Sequence, residues 1–123
     1  FIKLAINNEP LTITGTGDET RDFCYIDDTV NGICLVLFNQ TEPGDIFNIA
    51  TGKSTSIIDI ANYINLYCNN KAGITFTERR NWDCVVDRLA KIDKITSLLD
   101  YSADTQIEEG LKKTCDWIMQ NIR

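Results

Sequence analysis

The stretch that most limits what this chain can fold into covers residues 10–32, PLTITGTGDETRDFCYIDDTVNG. Leu11 and Ile13 alternate with Thr12 and Thr14, the period of a half-buried strand. Gly15, Thr16, Gly17 and Asp18 then form a turn, with glycines where the backbone is free to take a positive φ. Phe23, Tyr25 and Ile26 give a second short apolar run, read as another strand. Asp27 and Asp28 follow it as N-cap candidates for a helix. Arg21 lies between the turn and that run, a permanent cation flanked by hydrogen-bonding groups.

The rest of the chain reads as support for this stretch. FIKLAINNEP is the end of a helix that turns at Pro10. After Asp28, Val30, Ile33, Cys34 and Leu37 share one helical face. Gly32 interrupts that helix at a cost of about 1 kcal/mol relative to alanine, which points to close packing. Residues 46–50, IFNIA, read as a short strand. Ser56 and Asp59 form an S-x-x-D capping box. It opens a helix with Ile57, Ile60, Ala61, Ile64 and Cys68 on one side, ending near Asn69 and Asn70. Residues 74–76 are strand-like, residues 78–83 a loop, and residues 90–99 a shorter helix. Thr105 and Glu108 make a second capping box, before a last helix with Ile107, Leu111, Ile118 and Ile122 inward. Neither repeats nor linkers break the pattern, so residues 1–123 read as one mixed α/β domain of short strands and about four helices.

Composition narrows the functions. A formal net charge of −6 argues against a nucleic-acid binder, which presents a basic face. No apolar run is long enough to span a bilayer, and Phe1 does not open a signal-peptide pattern, so a cytoplasmic location is expected. Five cysteines at wide spacing, without a C-x-x-C pair, read as scattered reduced thiols. The absence of histidine makes a zinc site or a Cys-His nucleophile a poor fit. The Asn39-Gln40-Thr41 sequon is a chance match in this setting.

The segment LTITGTGDETRDFCYIDD resembles the NAD-dependent epimerase/dehydratase family, the extended short-chain dehydrogenases that act on nucleotide sugars. In that family a strand, a glycine turn, TRDF, an aromatic-aliphatic pair and a double aspartate follow in this order. Several unlike residues are thus joined at fixed spacing over about twenty positions. The segments RRNWD, RLAKIDKITSLL and TQIEEGLKKTCDWI resemble the family's closing part in the same order. The resemblance covers the whole chain and implies the C-terminal, substrate-binding subdomain, with the larger cofactor-binding Rossmann half ahead of Phe1. On this ground a piece of a longer protein is expected, with NAD bound by the N-terminal half. Three residues depart from the family pattern: Lys91 replaces an aspartate, Asp100 a helix-ending glycine, and Ala103 a proline.

The resemblance also implies roles. The family's TRDF arginine corresponds to Arg21, and its arginine three residues before an aspartate to Arg80 with Asp83. Together they would hold the diphosphate and ribose of a nucleotide-diphosphate sugar, for which a guanidinium fork is suited. The competing role is that of surface arginines in ion pairs worth about 0–1 kcal/mol each. The strand before the turn implies Thr12 and Thr14 backbone groups at the base, against ordinary pairing within a sheet. Trp82 is placed to stack on a base or to anchor its loop. Gly15-Thr16-Gly17 lacks the third glycine and the following helix of a dinucleotide fingerprint. Tyr67 and Lys71 match the family's catalytic Y-x-x-x-K spacing, but at a frayed helix end, and are read as coincidence; catalytic residues are not expected in this chain. The alternative is a freestanding, non-catalytic nucleotide-binding or interaction domain of the same fold. An isolated subdomain of this kind is also expected to self-associate through exposed apolar surface.

Overall fold

Leu11 and Ile13 are almost fully buried while Thr12 is exposed, and this alternation seats strand β1 (Leu11–Thr14) at the centre of the molecule. The structure is a computed structural model describing residues 1–39, 41–82 and 85–121. β1 pairs in parallel with β4 (Ile74–Thr77), Leu11 opposite Ile74. On the buried face lie α1 (Ile2–Ile6), α3 (Ile57–Tyr67) and α5 (Ile107–Asn121). Their shared core joins Ala5, Leu11, Ile13, Ile60, Ala61, Ile64 and Cys115. Burial pushes the Cys115 thiol up to about 12, with Cys68 beside it, so it stays an inert packing residue.

Ser56 caps α3 as the sequence predicts, its Oγ accepting from the Asp59 N–H at 3.1 Å, but the Asp59 carboxylate takes the Ser56 hydroxyl rather than the Ser56 backbone N–H of a full capping box. β3 (Thr55–Ser56), β2 (Thr20–Arg21) and β5 (Asp87–Arg88) form a second sheet in the order β3-β2-β5. β2 is antiparallel to β3 and parallel to β5. With α2 (Ile26–Phe38) and α4 (Asp93–Leu99), five helices among the described residues complete the mixed α/β architecture expected for the substrate-binding part of an extended short-chain dehydrogenase.

Several local expectations are corrected. Phe23 and Tyr25 do not form a strand. Asp22 accepts from the backbone N–H groups of Thr51 and Gly52, which turns the chain out of the ladder, and Ile26 already belongs to α2. Tyr25 is the N-cap residue, so Asp27 and Asp28 fall in the first turn, where carboxylates complement the helix dipole. Residues 46–50 are not assigned to a ladder, and Asn48 instead donates to the Lys91 carbonyl at 3.0 Å. α4 opens at Asp93 rather than residue 90. Asp100 ends it in the left-handed region, φ 52°, the position the sequence departure marked. Thr105 and Glu108 do not close as a box. Thr105 N–H donates to Asp28, and Glu108 accepts from the Tyr63 hydroxyl at 2.8 Å.

α2 carries its apolar residues on one face, as its spacing predicts, but that face is open. Ile26, Val30, Ile33 and Leu37 are all exposed. Gly32 faces inward: a Cβ there would lie 2.7 Å from Ile49 Cγ2 and 3.0 Å from Tyr101 Cε2. Ile118 of α5 is half-buried, while Ile122 lies outside the described residues.

Candidate functional site

The pairing of β1 with β4 decides which backbone groups remain available. Leu11 N–H donates to the Gly73 carbonyl at 2.9 Å and Gly15 N–H to the Thr77 carbonyl at 3.0 Å. Because successive residues of a strand direct their backbone groups to opposite edges, residues 11, 13 and 15 serve the ladder with β4. The backbone groups of Thr12 and Thr14 therefore face the other edge of β1, which is unpaired among the described residues. Thr12 also shares a 3.1 Å side-chain hydrogen bond with Thr75.

The turn after β1 is braced by a residue that the sequence did not single out. Glu19 is buried, and its carboxylate accepts from Gly17 N–H at 2.9 Å. Gly15 and Gly17 both take positive φ, 99° and 88°; the Gly15 amide stays in the ladder with β4, and the turn points the Gly17 amide at this carboxylate. Hydrogen bonds from its own N–H and those of Gly17 and Thr16, with the Arg79 charge nearby, hold its pKa below the usual value against the opposing effect of burial. The Glu19 carbonyl accepts from Ile57 N–H and the Gly17 carbonyl from Ile58 N–H, so the turn is fastened to the start of α3.

Arg21 follows at the end of β2. Its Nη1 donates to the carbonyls of Thr20 and Val86 at 2.7 and 2.9 Å, and its Nη2 to Val85 at 3.2 Å. Three of the five N–H donors of a guanidinium are thereby aimed at carbonyls, and the side chain straps down the residues just after the Arg80 loop. Arg80 lies over the Trp82 ring, 5.2 Å from its centroid, so Trp82 anchors the arginine and its loop together. Asp83 lies outside the described residues.

Two more residues belong to this region. Asp22, inside TRDF, receives Thr51 N–H and Oγ1 on one carboxylate oxygen and Gly52 N–H on the other. Arg88 is the register partner of Arg21 across the β2–β5 ladder, and both line an open cleft of about 490 Å³. Neither was legible as a site residue: strands of two residues are too short to show a period. Tyr67 and Lys71 do not form a helical pair. Tyr67 is the last residue of α3, stacked on Tyr63, and Asn69 between them is left-handed at φ 52°. Among the described residues, groups of three metal-ligating side chains are absent, and no helix is long and apolar enough to cross a membrane.

Comparison with known proteins agrees with this architecture. A family model described as GDP-mannose 4,6 dehydratase matches residues 1–114. The UDP-glucuronate 4-epimerase of Thermodesulfobacterium geofontis is 34% identical over 123 residues, covering 99% of this chain and 37% of that protein. The structure of epimerase Mth375 from Methanothermobacter thermautotrophicus superposes with a TM-score of 0.93 at 36% identity, over 98% of this chain and 36% of that one. The UDP-glucuronic acid 4-epimerase of Bacillus cereus, solved in complex with UDP-glucuronic acid and NAD, superposes at 0.87 with 32% identity, over 97% of this chain and 38% of that one. The chain thus spans little more than a third of the length of these proteins. With the matched model extending over nearly all of its residues, the chain belongs to the GDP-mannose 4,6 dehydratase family, among NAD-dependent nucleotide-sugar epimerases and dehydratases.

Proposed function

We propose that this chain is the C-terminal, nucleotide-sugar-binding part of a longer NAD-dependent epimerase or dehydratase, and that it holds the base and diphosphate of the sugar nucleotide. The observation that carries this reading is a continuous run of recognition groups along residues 12–21. The free backbone edge at Thr12 and Thr14 is joined through the Glu19-braced turn to the Arg21 guanidinium. Backbone N–H and C=O groups on an open edge suit the polar edge of a pyrimidine. Arginine forks suit a diphosphate, and Arg80 with Asp83 completes the clamp on this reading.

The share of catalysis that falls to this chain is orientation. Holding the sugar nucleotide in one pose is worth several kcal/mol of barrier, about 7–11 in the best cases. NAD belongs to another part of the enzyme. The glycine turn of this chain is already filled by the Glu19 carboxylate and leads into strand β2, not into a helix N-terminus, so it does not fit a dinucleotide.

Titration of the chain with UDP, TDP and NAD, followed by amide chemical-shift changes, tests this. Shifts at residues 12–21 with UDP or TDP, and none with NAD, are expected. Saturable NAD binding at those residues, or indifference to every nucleotide, overturns it.

A further inference from the structure

We propose that Arg88 is a second anion-binding guanidinium beside Arg21, and that the two together take a diphosphate in the cleft between β2 and the segment after β5. The ligand identity rests on the nucleotide-sugar reading; the anion site itself rests on the geometry. Arg21 and Arg88 are register partners on adjacent parallel strands, so their side chains leave the same face of the sheet. Like charges placed directly opposite in a sheet repel. Ordinarily a carboxylate intervenes, yet among the described residues neither guanidinium has one as an ion-pair partner. Among the described residues Arg21 is held by carbonyls alone. The guanidinium of Arg88 is exposed and, among the described residues, has no hydrogen-bond partner.

The acids of the same cleft are already committed. Asp22 accepts from Thr51 and Gly52, and Asp87 accepts from the Thr20 hydroxyl at 2.8 Å. Leu89 and Ala90 continue this cleft into a second one that holds Lys53 and Lys91. Lys91 pairs there with Asp93 at 3.3 Å, which leaves Lys53 and the two arginines as the cations of this groove without an ion-pair partner among the described residues. An anion seated between the two guanidiniums relieves the repulsion between them. Inorganic pyrophosphate carries the chemistry this site recognises, and a nucleoside diphosphate adds a base for the edge at Thr12 and Thr14.

The test measures UDP and pyrophosphate affinity for the wild-type chain, Arg88→Ala and Arg88→Lys, with far-UV circular dichroism to confirm that each is folded. Loss of about tenfold or more for both ligands in Arg88→Ala, with partial recovery in Arg88→Lys, is expected. If Arg88→Ala binds UDP like wild type while Arg21→Ala does not, the Arg88 assignment is overturned and the nucleotide-sugar reading stands. If pyrophosphate binds in an Arg88-dependent manner and UDP binds no better, the anion site stands and the nucleotide-sugar reading is overturned. Failure of both ligands to bind wild type overturns both.

Discussion

The carboxylate of Glu19 accepts the Gly17 N–H at 2.9 Å from inside the turn that joins β1 to β2. This buried acid replaces water as the partner of amides that the positive-φ glycines turn inward. Because its folded pKa lies below the ordinary carboxylate value of 4.5, the unfolded chain binds the proton first as pH falls. Its contribution is therefore full above about pH 4.5 and is lost as pH drops through the lower folded value. Thermal melts from pH 7 to pH 3 should show an acid limb in wild type that Glu19→Gln flattens. An unchanged limb in the variant would assign the acid sensitivity to other carboxylates.

Gly32→Ala should destabilise the chain, although alanine is the better helix former by about 1 kcal/mol. The added methyl would meet Ile49 and the buried ring of Tyr101. Overpacking of this kind costs about 1–3 kcal/mol. Denaturant unfolding checks the sign, and a more stable variant would show that Ile49 yields without strain.

Removing Arg21 or Arg80 from the whole enzyme should each weaken nucleotide-sugar binding by about 1.5–3 kcal/mol, the range for hydrogen bonds to a charged group. Arg21→Lys should recover only part, because lysine keeps the charge and loses the fork. The two positions should differ in stability. Arg21→Ala releases the carbonyls of Val85 and Val86, whereas Arg80→Ala releases, among the described residues, its contact with Trp82. Calorimetric titration beside thermal melts separates the two effects, and affinity unchanged in both variants would remove these arginines from the site.

The open face of α2 should make the isolated chain bind a hydrophobic dye and associate at high concentration. Ile26 and Leu37 are 60% and 69% exposed at the two ends of one apolar stripe. Val30→Lys with Leu37→Lys should abolish both behaviours and leave the melting temperature within a few degrees. A strict monomer in sedimentation, silent to the dye, would refute the expectation.

Tyr67→Phe should leave turnover of the whole enzyme nearly intact. The hydroxyl ends a helix on which Lys71 has no place one turn further along, since Asn69 breaks it. A thousandfold loss of kcat, about 4 kcal/mol of barrier, would restore Tyr67 to the chemistry.

What the sequence determined by itself was local or carried by spacing. Leu11 and Ile13 alternate over four residues, enough to set the buried face of β1. Ser56 and Asp59 are three apart, enough to start α3. The run from Gly15 through Asp28 is dense enough in unlike residues to mark the family, which the match over residues 1–114 shows. Tertiary structure decided what depends on distant partners. Arg88 comes to Arg21 only through a ladder of two residues on each side, too short to leave a period in the sequence. Glu19 is buried because the turn folds back over it and the start of α3 closes against the turn, a long-range hydrogen-bond network without a local signature. The stripe on α2 shows the same division. Spacing places Val30, Ile33 and Leu37 on one face, but an apolar face carries no record of what covers it, and here it stands open.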